Sequence, residues 1–134
     1  SDVCSSDLDA QDNHGGPGLT IDRQGYLHIL YFPHHRPFHY RRSLRPNDAS
    51  AWGPEITFGE SLSYPVLLVA PDDTLILTAR RYYEANDHPN EVELWRKPAT
   101  GDWQRQAVIL RSRHLDYAHF QESLAWGPTT GRFT

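Results

Sequence analysis

The chain has 134 residues, a formal net charge of -4 and a mean hydropathy of -0.66, which is enough for one domain. Aromatic residues make up 12%, too many for a disordered chain. The absence of an apolar run of about 18 residues excludes a membrane-spanning helix. With no block of basic residues, nucleic acid is not an expected partner. Ten prolines and nine glycines favour short strands and turns over helices.

The first eight residues read SDVCSSDL and resemble the translation of a sequencing-library adapter. We therefore expect residues 1–8 to be a non-native tail and residues 9–134 to be the native segment. Cys4, the one cysteine, lies in this tail, so no disulfide or thiolate chemistry is predicted. Position 1 is not Met, and the chain ends at Arg132-Phe133-Thr134, where an apolar strand begins. We expect an internal fragment of a longer protein.

Three segments share one pattern, in which an apolar run, a turn rich in Gly, Pro or Asp, and a second apolar run follow one another. The pairs of runs are 18–22 with 26–32, 65–70 with 74–79, and 123–126 with 132–134. Each pair predicts a β-hairpin. Third and fourth strands are predicted at 39–43 and 55–58 after the first hairpin, and at 91–96 and 106–110 after the second.

The four-strand pattern repeats at a nearly constant interval. Leu27 and Leu75 are 48 positions apart, and Trp52 and Trp103 are 51 apart. Four strands per repeat of this length are typical of a β-propeller blade. A β-sandwich would also give many short strands, but not a tryptophan at the same place in each repeat. We predict an all-β fold, a partial β-propeller with about two four-stranded blades and the start of a third.

The hairpins predict where a functional site lies. In each one, the start of the first strand and the end of the second lie at the same end, and in a propeller this end opens on the central channel. Residues that titrate or bind anions collect there, whereas the opposite end holds ordinary turn residues. The rim residues are His14, His34, His35, Ser63, Tyr64, Arg80, Arg81, Tyr82, Tyr83, Tyr117, His119, Gln121 and Glu122. Their spacing does not match a known metal site, whereas His28, within a strand, is expected to be a packed core histidine.

The chain resembles the bacterial-neuraminidase-repeat (BNR) β-propeller family, in the branch that includes ulvan lyases and many secreted bacterial proteins. The resemblance rests on positions 12–17, 22, 25–28, 33–35, 40–43, 64–65, 80–81 and 119–123. It covers residues 9–134. The family's repeat signature is degenerate here, because the segment from Asp48 to Trp52 keeps the Asp and the Trp but lacks the Gly.

The resemblance implies a polysaccharide lyase that acts by β-elimination on uronic-acid glycans. By position, the catalytic residues would be His14, His34, Tyr64 and Arg80. Arg80 and one histidine would neutralise the carboxylate, and Tyr64 or His14 would remove the C5 proton. The expected substrate-binding residues are His35, Arg81, His119 and Glu122, with His35 able to replace His34 after a one-residue slip.

The same resemblance implies a secreted or periplasmic full-length protein with a polysaccharide as its partner. No cofactor or metal is required, no membrane contact is expected, and structural calcium and the oligomeric state stay open. We expect the fragment alone to be inactive, because further active-site residues would lie in other blades.

Two other functions stay open from the sequence. A sialidase-like glycoside hydrolase could use Arg80 on a carboxylate, with Tyr64 as nucleophile assisted by Glu122. A non-catalytic glycan-binding propeller could stack sugars on its tryptophans. Those tryptophans are Trp52, Trp95, Trp103 and Trp126, and the equivalent positions of Trp52 and Trp103 are more typical of packing.

Overall fold

A computed structural model describes residues 16–32, 34–85, 87–115, 118, 120 and 123–125. Within them, every regular element is a β-strand. The strands are β1 (Gly18–Ile21), β2 (Leu27–Tyr31), β3 (Arg36–Arg42), β4 (Ile56–Val69), β5 (Leu75–Arg81), β6 (Glu91–Lys97) and β7 (Gln104–Arg111). They form one antiparallel sheet in chain order. The all-β prediction is confirmed.

The sheet consists of two units of four strands each. In the first unit, β1, β2 and β3 are followed by the beginning of β4, where Phe38 pairs with Phe58. In the second unit, the end of β4 pairs with β5, as Val66 with Thr78, and β6 and β7 follow. These units match the predicted repeat and are two blades of a partial propeller.

Strand β4 differs from the prediction of separate strands at 55–58 and 65–70. It is continuous over 14 residues, from Ile56 to Val69. The chain changes pairing partner within the strand, and the register shifts between Ser63 and Val66. A proline is tolerated at such an irregularity because no ladder hydrogen bond is needed from its nitrogen.

The turns between the paired strands lie side by side at one end of the sheet. Asp22 Oδ1 accepts hydrogen bonds from the backbone N–H groups of Gln24 and Tyr26 at 3.0 and 2.9 Å. The Arg23 N–H donates to Asp73 Oδ1 of the next hairpin at 2.9 Å. Both turns therefore lie opposite the end at which the rim residues were predicted.

The main hydrophobic core lies between the two units. It comprises Leu30, Phe38, Tyr40, Leu62, Leu75, Leu77, Ala79 and Trp103, against which Phe58, Leu67, Val69 and Trp95 pack. Trp103 of the second unit stacks on Phe58 of the first at 4.7 Å between ring centroids. Trp103 is therefore a packing residue.

His28 is buried in a hydrogen-bonded network, as predicted for a core histidine. Its Nε2–H donates to Asp22 Oδ2 at 2.9 Å, and its Nδ1 accepts from the Tyr40 hydroxyl at 2.7 Å. Burial lowers the pKa of His28, although the hydrogen bond to Asp22 raises it. The imidazole is thus neutral and satisfied at both nitrogens.

The predicted third hairpin falls mostly outside the described residues. Residues 123–125 are described and lie outside the strands, and residues 126–134 are not described. The predicted tail at 1–8 is likewise not described. No helix among the described residues is long and apolar enough to cross a membrane.

Candidate functional site

Arg80 is the centre of a cluster at the end of β5 that lies opposite the turns. Its side chain is fully buried, which is costly for a charge unless it is hydrogen-bonded. Nη1 donates to the Ala118 carbonyl at 3.0 Å, and Nη2 donates to His35 Nε2 at 2.8 Å and to Ser63 Oγ at 3.1 Å. The guanidinium therefore joins chain segments that are far apart in sequence.

Two tyrosine rings also lie against this guanidinium. Arg80 Cζ lies 4.7 Å from the centroid of the Tyr64 ring and 5.5 Å from that of Tyr82, within the range of cation–π attraction. Tyr82 also stacks on His35, with centroids 4.2 Å apart and planes 6° apart. We call Ser63, Tyr64, Arg80, Tyr82 and His35, together with the adjacent His34, the Arg80 cluster.

The irregular course of the backbone positions these side chains. Ser63 pairs directly with Arg80 across β4 and β5, and the register shifts immediately after Ser63. Bulges of this kind redirect a side chain. Left-handed φ angles occur at Phe32, His35, Ser61 and Tyr64 at this end, and at the turn residues Asn47 and Asp73 elsewhere. Left-handed backbone at residues other than Gly, Asn and Asp is a strained conformation that concentrates at functional sites.

The bond between Arg80 and His35 fixes the chemical form of the imidazole. A guanidinium nitrogen can only donate, so His35 Nε2 carries the lone pair and Nδ1 carries the hydrogen. His34 lies beside His35, with ring centroids 4.2 Å apart. The cluster thus combines a buried positive charge with imidazole and phenol groups, which suits an anionic ligand and proton transfer.

The structure brings together His34, His35, Tyr64 and Arg80 from the predicted set. His14, His119 and Glu122 lie outside the described residues, so their placement stays a prediction.

Arg81 lies on the other face of β5, because neighbouring residues of a strand point to opposite faces. It forms an ion pair with Glu60, with Nη2 and Oε2 2.8 Å apart, and lies over the Tyr83 ring. Arg81 is therefore not a member of the Arg80 cluster.

Ser63 and Tyr82 are members of the cluster to which the sequence assigned no role. Their positions at the strand ends place them on the rim. Their contacts with Arg80 follow from the irregular end of β4 and the left-handed φ of His35, which spacing does not reveal.

A second group of titratable side chains lies on β2 and β3 around Glu55. The Tyr31 hydroxyl and His39 Nδ1 both hydrogen-bond to Glu55, and Arg41 lies 3.6 Å from it. Burial and the bond to Glu55 raise the pKa of Tyr31 to about 12. Hydrogen bonds from Tyr31 and His39 lower the pKa of Glu55. These groups form a hydrogen-bonded, ion-paired cluster between strands.

Metal ligands do not gather among the described residues, in which no group of three His, Cys, Asp or Glu side chains could hold an ion. The described part of the chain consists of propeller blades, and a cluster of cationic and aromatic side chains lies at one end of them.

Comparison with known proteins identifies the family. The chain matches the BNR repeat-containing family over residues 2–122. Because this match covers most of its length, the chain belongs to that family. A search of curated protein sequences gives no significant match.

The solved structures that share the fold include two of a polysaccharide lyase of a new family, an ulvan lyase. One, bound to GlcA(1-4)Rha3S, is 20% identical with a TM-score of 0.58. The other is 21% identical with the same TM-score. In each case the match covers 73% of this chain and 24% of the lyase chain. The chain thus spans about a quarter of the length of these lyases.

Proposed function

We propose that the chain is part of a carbohydrate-active propeller that cleaves a uronic-acid polysaccharide by β-elimination. The observation that carries this proposal is the convergence of guanidinium, imidazole and phenol groups in the Arg80 cluster, at the end of the blades opposite the hairpin turns. The shared fold with an ulvan lyase supports it.

The reaction requires stabilisation of negative charge next to a proton-transfer group. A base removes the proton at C5 of the uronate, the C4–O4 bond breaks, and a C4=C5 double bond forms while the leaving oxygen takes a proton. Negative charge spreads onto the carboxylate during this step, and a preorganised positive charge lowers its energy. Arg80 supplies such a charge.

The burial of Arg80 assigns separate roles to its neighbours. The guanidinium has no exposed surface and donates to His35, so in this proposal it acts through the side chains around it. His35 donates its Nδ1–H to the sugar carboxylate, and Tyr64, reacting as the phenolate, takes up the C5 proton. His34 and, by resemblance, His14 are the remaining candidates for protonating the leaving oxygen.

The test is the variant Tyr64→Phe in the full-length protein that contains this sequence. It keeps the ring beside Arg80 and removes the hydroxyl. We expect the rate of ultraviolet-absorbing unsaturated uronate formation to fall about 100-fold or more, the usual contribution of a proton-transfer group. Tyr26→Phe, at the opposite end of the sheet, is the matched control and should retain full activity.

Three results would contradict the proposal. The first is a Tyr64→Phe variant that retains the rate of the unaltered protein. The second is a product without the double bond, which would indicate a hydrolase of sialidase type. The third is glycan binding without turnover, which would indicate a binding propeller. Thermal unfolding of both variants establishes that any loss of rate is not a loss of fold.

A further inference from the structure

A cavity lies on the face of β5 opposite the Arg80 cluster. Its volume is about 410 Å³, within the usual range of small-molecule sites. It is lined by Glu60, Arg81, Tyr83, Glu93, Trp95 and Arg105, together with Gly59. Because β4 belongs to both blades and the other lining strands to the second, we call it the inter-blade cavity.

The charges in the inter-blade cavity balance. Glu93 is almost fully buried and accepts from Arg105 Nη1 at 3.0 Å and from the Trp95 indole N–H at 3.1 Å. Glu60 accepts from Arg81 Nη2 at 2.8 Å. Two carboxylates thus face two guanidinium groups. A charged ligand of either sign would meet like charges, whereas an uncharged polar ligand would meet only donors and acceptors.

The remaining lining groups match the surface of a sugar. The Tyr83 and Trp95 rings provide apolar surface for C–H groups, and carboxylates and guanidinium groups bond to hydroxyls.

The cavity and the Arg80 cluster are connected through adjacent residues of two strands. Arg80 and Arg81 are consecutive in β5 and lie on opposite faces. The Tyr82 N–H donates to the Ser61 carbonyl at 3.1 Å, which joins β5 to β4 between the two sites. Both sites flank the same end of β5.

We propose that the inter-blade cavity binds an uncharged sugar residue of the polysaccharide whose uronate lies at the Arg80 cluster. This inference rests on the proposed function. It makes the cavity an accessory subsite that increases affinity and favours chains containing neutral sugars next to uronates.

The direct test is nuclear magnetic resonance on the full-length protein with methyl glucoside and methyl glucuronide. The two probes differ only at C6, where a hydroxymethyl group replaces a carboxylate. Methyl glucoside should shift the indole N–H signal of Trp95, assigned with Trp95→Phe, and methyl glucuronide should not. The Trp103 signal, from the core, is the internal control. An unmoved Trp95 signal, or equal shifts with both probes, overturns the inference.

A kinetic test uses two variants of exposed groups in the cavity, Glu60→Gln and Arg105→Gln. Loss of a sugar hydrogen bond should raise KM for a polysaccharide of uronate and neutral sugars about fivefold to tenfold, with kcat unchanged. Arg45→Gln removes an arginine of similar exposure that is paired with Asp48, remote from the cavity, and should leave KM unchanged. An unchanged KM in both cavity variants overturns the inference.

The two proposals fail in different ways. A protein without eliminase activity but with a Trp95 signal that responds to methyl glucoside would contradict the proposed function and support the cavity as a sugar site. An active lyase in which methyl glucoside does not shift the Trp95 signal would contradict only the proposal that the cavity binds a sugar.

Discussion

Burial of a charged side chain is tolerated only where hydrogen bonds replace water. Arg80 meets this condition, and its hydrogen-bond partners indicate what the buried charge does. Its donors contact a serine, an imidazole and a backbone carbonyl. A charge held in a low dielectric acts strongly on its neighbours. The same bonds fix the tautomer of His35, so the arginine orients the imidazole and supplies charge at once.

At the scale of single residues, the sequence predicted that the members of the Arg80 cluster lie at one end of the sheet, but it did not predict their contacts. The positions of Tyr64, Arg80 and the two histidines at strand ends follow from the hairpin pattern. Which of the histidines bonds to Arg80 does not, because it depends on the left-handed φ of His35. The separation of Arg81 from Arg80 follows from strand alternation alone.

The buried His28 predicts a dependence of stability on pH. Burial lowers its pKa below 6.5, against the effect of Asp22, and the nearby charges of Arg42 and Lys97 lower it further. Below pH 6.5 the unfolded chain binds a proton that the folded chain does not bind. The free energy of unfolding should therefore decrease from pH 6.5 down to the pKa of the folded state.

Urea unfolding between pH 7 and pH 5 measures this effect. His28 contributes at most one proton, so the unaltered protein should lose up to about 1.4 kcal/mol per pH unit more than His28→Gln. Asp22 has its lowered pKa below 3.8 and does not titrate in this window. Parallel curves for the two proteins would show that His28 does not control stability here.

Among the strands, β4 shows how a local irregularity serves both the core and the site. Leu62 lies in the core, while Tyr64 two positions later contacts Arg80. The seven strands were predicted to within a few residues, except at β4, which was predicted as two separate strands. The tertiary pairing to two neighbouring strands keeps the segment extended, and a pattern of local residues carries no information on this pairing.

The left-handed positions of β4 predict opposite effects of two substitutions. Ser61 has φ 48° and a buried hydroxyl without a partner among the described residues. Ser61→Gly removes the steric cost of a Cβ at a left-handed φ and also removes the unsatisfied hydroxyl. Glycine loses more backbone entropy on folding, but this loss is smaller, so the substitution should stabilise the protein by about 1 kcal/mol. Gly59 has φ 78°, and a Cβ there would lie 2.3 Å from Leu62 Cδ1, so Gly59→Ala should destabilise by about 2 kcal/mol or more.

Both substitutions are measured by urea unfolding at pH 7. The pair serves as its own control, because the sites are two residues apart and only the direction of the change differs. Destabilisation by Ser61→Gly would show that β4 gains nothing from glycine at this position and that the hydroxyl has a partner.

For the whole molecule, the decisive feature is a core shared by both blades. The sequence predicted the repeat from the spacing of its tryptophans, and the structure shows that the two tryptophans differ. Trp103 is buried against Phe58 and Tyr40 of the other blade. Trp52 is half-buried, and its indole N–H donates to the Ala49 carbonyl. Equivalent positions in a repeat are not equivalent in burial, because only one of the two lies between blades that are both present in the described residues.

This difference predicts unequal costs for the same substitution. Trp103→Ala removes a large side chain from the shared core and should lower the free energy of unfolding by about 3–5 kcal/mol. Trp52→Ala loses a single hydrogen bond and part of a surface contact, so about 1 kcal/mol is expected. Because the core joins both blades, urea unfolding followed by tryptophan fluorescence and by circular dichroism should show a single coincident transition. Equal costs for the two substitutions, or two separate transitions, would show that the blades are stable independently and that Trp103 is not required for their association.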